Sequence, residues 1–79
     1  MPARKTPQTT LGWAWWARDA AHQCRQEEAL IIARLRRARD PIPEQRALAE
    51  LLASLLAQEE ALRLVEDVYL DLAALGEAQ

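Results

Sequence analysis

Phenylalanine is absent from this chain, and Gly12, Gly76, Cys24 and His22 are its only glycines, cysteine and histidine among 79 residues. A lone cysteine excludes an internal disulfide and suits a reducing compartment. His22 and Cys24 stand two positions apart. On a helix their side chains diverge by about 200°, so they form neither a metal pair nor a nucleophile–base pair. Two separated glycines cannot build a phosphate-cradling loop. Valine, isoleucine and threonine are also few, which leaves little strand-forming material. The apolar run from Leu11 to Ala17 is interrupted by Gly12 and stopped by Arg18 and Asp19. It is too short to cross a membrane, and "MPARKTPQTT" before it has no signal-peptide h-region, so a cytoplasmic chain without a membrane partner is expected. The same absences lead to an expectation of no catalytic residues, no cofactor, no metal and no small-molecule substrate.

What is present is helix-forming. Half the residues are apolar (51%) and 28% are charged, the balance of a folded soluble domain. Alanine, leucine, arginine, glutamate and glutamine dominate, all favourable in helices. The length allows one small domain, near the size at which a single core is marginal. Thr9 or Thr10 reads as an N-cap. "DPIPE", residues 40–44, is the one strong internal break. Pro41 disfavours helical geometry at Asp40, and Pro43 fits the first turn of a new helix with Glu44 at its positive end. Gly76 reads as a C-cap. The expectation is a flexible tail over 1–10, a helix over 11–39, a hinge at 40–43 and a helix over 44–75.

Heptad spacing pairs the two helices. The first stripe is Ala14, Ala17, Ala21, Cys24, Glu28, Ile31, Leu35 and Ala38. The second is Leu48, Leu51, Leu55, Gln58, Leu62, Val65, Tyr69 and Leu72. Both alternate steps of three and four. Glu28 and Gln58 interrupt them as register-setting or edge positions, and Cys24 reads as a small buried apolar residue. Charge supports an antiparallel pairing. Residues 1–40 hold eight basic and four acidic residues, whereas residues 41–79 hold two and eight. Each exposed pair contributes only about 0–1 kcal/mol.

The second helix has more apolar surface than one seam can hide. Ala57, Ala61, Leu64, Val68 and Leu75 make a further stripe, with Leu56 and Leu70 on the other flank. In a two-helix protein the cover must come from another chain. Trp13 and Trp16 lie on one flank of the first seam. Trp15 points roughly 130° from the seam centre, onto the face of Arg18, Asp19 and His22. The tryptophans and the further stripe meet at one end of the hairpin. Trp13, Trp15, Trp16, Ala57, Ala61, Leu64, Val68 and Leu75 are therefore the expected partner-binding residues.

Other chemistry has little footing. Glu27–Glu28 and Glu59–Glu60 read as solvated-face charge, since no Glu-x-x-His spacing accompanies them. "RLRRARD", residues 34–40, complements the negative end of its helix, and the net charge of −2 argues against a nucleic-acid partner.

"DPIPEQRALAELLASLLAQEEALRLVEDVYLDLAAL", residues 40–75, carries an Asp-Pro hinge, a glutamine in the helix start, an unbroken Leu/Ala/Glu helix and a late Val68–Tyr69 pair. In these features it resembles the second half of small helical-hairpin co-chaperones of type III secretion systems, and the length near eighty residues also fits. That resemblance implies a helical hairpin that binds a larger, tetratricopeptide-like chaperone and, through it, the needle subunit held in the cytoplasm. The resulting expectation is an all-α antiparallel helical hairpin that completes a bundle with another chain. It acts as a non-enzymatic interaction module, as such a co-chaperone in a hetero-oligomer. Two other readings stay open: a small phage or mobile-element regulator that binds a host protein, and a homodimeric four-helix bundle with a structural role.

Overall fold

A computed structural model describes residues 9–78. Among these the chain forms two helices and no strand: α1, Thr10–Arg37, and α2, Ile42–Ala78. They pack against each other as an antiparallel helical hairpin, as the heptad spacing and the single proline break predict. Of the tail expected over residues 1–10, residues 1–8 lie outside the described residues, whereas Thr9 caps α1 and Thr10 begins it.

The helix ends follow from backbone hydrogen bonding. Thr9 is the N-cap of α1: its extended backbone leaves Oγ1 free to accept from the Gly12 N–H at 2.9 Å. Arg34, Arg36 and Arg37 occupy the last turn, beside the negative end of the dipole. α1 stops at Arg37, two residues earlier than expected, because Ala38 turns left-handed (φ 51°, ψ 34°) and donates back to the Leu35 carbonyl at 3.0 Å. α2 begins at Ile42, also two residues early. The Pro41 carbonyl already accepts from the Gln45 N–H at 3.0 Å, and Pro43 lacks an N–H only where the first turn needs none. Gln45 Nε2 donates to the Asp40 carbonyl at 2.7 Å, and Arg34 grips the Asp40 carboxylate through Nη2 at 2.9 Å and Nε at 3.1 Å. This fork ties the hinge to the end of α1. Gly76 does not cap α2. It has no positive φ, and the helix runs past it to Ala78.

The seam of α1 is buried as its spacing predicts, at Ala14, Ala17, Ala21, Cys24, Glu28 and Ile31. The seam of α2 differs at alternate positions. Leu48, Leu55, Leu62 and Tyr69 face α1, but Leu52, Glu59 and Ala73 join them where Leu51, Gln58 and Leu72 were expected. α2 is apolar on several sides, so either flank of the Leu48–Leu55–Leu62–Tyr69 row could turn inward.

The core is thin. Its buried cluster is Cys24, Ile31 and Leu55, joined by half-buried Leu35, Leu48, Leu52 and Leu62. Among the described residues only the alanines at 14, 17 and 21 are fully buried, and no larger side chain is. The molecule measures 57 × 30 × 15 Å, a single layer of helices where domains ordinarily stack two. Its radius of gyration is 16.8 Å, against about 12 Å for a compact chain of this length.

Candidate interaction surface

The hairpin has two unlike flanks. On one, Arg18 and Arg25 follow each other at heptad spacing along α1 and reach across to α2. Arg18 Nε meets Glu66 Oε2 at 2.7 Å, and Arg25 Nη1 lies 3.7 Å from Glu59 Oε2. From within α2, Arg63 holds the same Glu59 oxygen through Nη2 at 2.6 Å and Nε at 2.9 Å. This flank is closed by ion pairs.

The other flank is open. A groove of about 470 Å³ runs between the helices, with Cys24, Leu55 and Leu62 at its base and Trp16, Ala20, Gln23, Glu27, Gln58 and Ala61 along its sides. Helical spacing continues this side along α2 through Leu51, Val65, Val68 and Leu72. Burial lifts the Cys24 thiol pKa above its ordinary value, and the negative charge of Glu27, Glu28 and Glu59 adds to the effect. A thiol held in its neutral form behaves as part of an apolar surface.

The aromatic end divides. Trp13 is half-buried. It stacks on Tyr69 of α2, centroids 6.2 Å apart, and meets the edge of Trp16 at 5.5 Å. Trp13 thus closes the open end of the hairpin itself, and Trp16 forms the outer wall of the groove. Trp15 is 54% exposed, on the flank of the ion pairs, away from the groove. Ala57 and Ala61 are exposed, as are Leu64 (62%), Val68 and Leu75 (63%). Ala61 and Val68 lie on the groove side, while Ala57 and Leu64 face directly away from α1. Leu51, Leu56 and Leu72 are exposed as well. Leu51 and Leu72 had been assigned to the seam, so this surface is wider than the sequence stripe.

Two acids thought to be solvated are not. Glu28 and Glu59 are 5% and 7% exposed, face to face across the seam. Burial, and then a hydrogen bond with Glu59, push the Glu28 carboxyl above its ordinary range. Glu59 moves the opposite way, held low by the Arg63 hydrogen bonds and then by the one with Glu28. Glu28 therefore holds its proton more firmly than a free carboxyl does, beside a carboxylate that Arg63 and Arg25 compensate. Glu28 Oε2 is itself buried without a hydrogen-bond partner. The clue was present in sequence: Arg63 stands four residues after Glu59, and Glu28 falls on the α1 seam.

Among the described residues no group of three or more His, Cys, Asp or Glu side chains could hold a metal ion, and no helix is long and apolar enough to cross a membrane. His22 is exposed and lies 3.3 Å from Gln26 Nε2. No protein-family model, curated protein or solved structure matches the chain.

Proposed function

We propose that the chain is a non-enzymatic protein-interaction module, a cytoplasmic co-chaperone whose exposed α2 face is covered by helical partners. One observation carries the reading. In a hairpin with no large side chain fully buried among the described residues, Leu51, Leu64, Val68, Leu72 and Leu75 of a single helix remain about half exposed or more. A contiguous apolar surface of that kind marks a site of association rather than a solvated face. The open groove beside it supplies a cleft into which a partner's apolar side chain can seat. The partner class comes from the resemblance of residues 40–75 to secretion co-chaperones: a larger tetratricopeptide-like chaperone and, through it, a type III secretion needle subunit. By covering that subunit the complex keeps an aggregation-prone protein soluble.

Co-expression of the chain with the chaperone and needle subunit of its own secretion system tests this. The expected result is a soluble three-part complex, and a needle subunit that precipitates when this chain is omitted. A needle subunit equally soluble in both cases, with this chain absent from the complex, contradicts the proposal.

A further inference from the structure

Two rows of α2 lie on either side of the row Leu48, Leu55, Leu62 and Tyr69. The row turned inward is Leu52, Glu59, Glu66 and Ala73, and the row left outside, on the groove side, is Leu51, Gln58, Val65 and Leu72. The hairpin therefore packs the row that carries two carboxylates and excludes the row that carries no charge. Leu51 and Leu72 stay about half exposed as a result. Burial of apolar surface favours the opposite choice. What offsets it is charge pairing on the closed flank: Arg18 meets Glu66 at 2.7 Å, and Arg63 and Arg25 meet Glu59 at 2.6 and 3.7 Å. The arrangement leaves one group unanswered, because Glu28 Oε2 is buried without a hydrogen-bond partner. Gln58, the amide of the outer row, directs its Nε2 to Ser54 of its own helix at 3.3 Å.

We propose that α2 is a rotary switch with two seatings on α1, and that the arginine pairs hold it in the one described. A turn of about 50° about its own axis, half the step between successive residues, carries the outer row into the seam and the inner row onto the closed flank. The row Leu48, Leu55, Leu62 and Tyr69 faces α1 in both seatings, so Tyr69 keeps its place beside Trp13. The groove between the helices, about 470 Å³, is the space through which the outer row turns. In the register set by Trp13 with Tyr69 and Arg25 with Glu59, the turn brings Leu51 between Ile31 and Leu35, Gln58 between Cys24 and Glu28, and Val65 between Ala17 and Ala21. Gln58 then offers an amide donor to the orphaned Glu28 oxygen, and the alanines leave room for Val65. Glu59 and Glu66 return to water. Leu51, Val65 and Leu72 leave the surface, so the second seating withdraws part of the face that the first presents. That regulatory consequence rests on the reading of the face as an interface, whereas the rotation belongs to the chain alone.

Cysteine labelling of the dilute, monomeric full-length chain reads the seating. Leu51→Cys and Leu52→Cys are placed separately in a Cys24→Ala background, and their rates of alkylation by iodoacetamide are compared. Position 51 is exposed and position 52 half-buried, so Leu51→Cys should react faster. Arg25→Gln/Arg63→Gln removes the charges that compensate Glu59. It should invert the ratio of the two rates, with helicity by circular dichroism unchanged. A ratio that does not fall in a helical variant overturns the proposal. Should that variant lose its helices, salt decides in its place: about 1 M sodium chloride, which shortens the Debye length to about 3 Å, should lower the ratio in the chain with its arginines intact, and a constant ratio overturns the proposal. Failure here leaves the co-chaperone reading standing, because co-expression with the chaperone and needle subunit tests that reading by itself. An inverted ratio without a secretion complex supports the rotation and contradicts the co-chaperone reading.

Discussion

Glu28 of α1 and Glu59 of α2 meet in the buried seam of the hairpin, and their carboxyls are shifted in opposite directions, Glu28 above the ordinary carboxylate range and Glu59 below it. The two groups respond to pH with opposite sign. Glu28 binds its proton more tightly folded than unfolded. Its contribution is complete below the ordinary 4.5 and is lost as pH rises through its elevated folded value. Glu59 is the converse, contributing above 4.5 and losing that as pH falls through its lowered value, and Asp40, held low by Arg34, behaves likewise below 3.8. Stability should therefore peak close to pH 4.5 and decline on both sides. Glu28→Gln keeps a donor toward Glu59 without a proton to lose. It should raise the melting temperature at neutral pH and remove the decline above pH 4.5. Urea titrations across the pH range check this, and stability climbing steadily from acid to neutral pH in the wild type contradicts the upward shift of Glu28.

Leu55 and Leu64 separate core from surface on one helix. Leu55 belongs to the buried cluster, so Leu55→Ala should cost about 3 kcal/mol. Leu64 is 62% exposed, and Leu64→Ala should change stability by less than about 0.5 kcal/mol. Denaturant unfolding of the two variants under conditions that keep the chain monomeric makes the comparison. Equal losses would place Leu64 in the hairpin's own core.

The tryptophans should divide in the same way. Trp13 packs on Tyr69 and Trp16, and Trp13→Ala is expected to cost about 2 kcal/mol. Trp15 is exposed on the ion-paired flank. Trp15→Ala should leave the melting temperature nearly unchanged. A larger loss from Trp15→Ala than from Trp13→Ala contradicts the orientation of the α1 N-terminal turns.

Ala38 ends α1 in the left-handed region at φ 51°, where a β-carbon is crowded. Ala38→Gly relieves that and should stabilise the hairpin by about 0.5–1 kcal/mol, despite the greater freedom glycine gives the unfolded chain. A melting temperature that falls would mean the turn tolerates the methyl group without strain.

The legibility of the chain follows its contrast. In α1 the seam is made of small residues among arginines and glutamines, so its period is plain and every buried position from Ala14 to Ile31 is readable. In α2 leucine, alanine and valine occur on most sides. The spacing finds Leu48, Leu55, Leu62 and Tyr69, yet cannot say whether Leu51 and Gln58 or Leu52 and Glu59 turn inward. The answer depends on Glu28. A buried acid there that holds its proton firmly tolerates an arginine-compensated carboxylate opposite, and an avoidance of buried charge points the wrong way. Trp15 and Trp16 are adjacent in sequence but fall on different flanks, a division the α1 spacing already gives; which of the two flanks is the open groove follows only once the α2 seam is known.

The most direct test of the account is the double variant Leu64→Asp/Val68→Asp, followed by circular dichroism and sedimentation together. The exposed face of α2 is claimed to serve association and not the hairpin's own packing. The account predicts unchanged helicity and loss of all higher-mass species, whether with a second copy or with a chaperone. Helices that melt, or association that persists at wild-type strength, would contradict it.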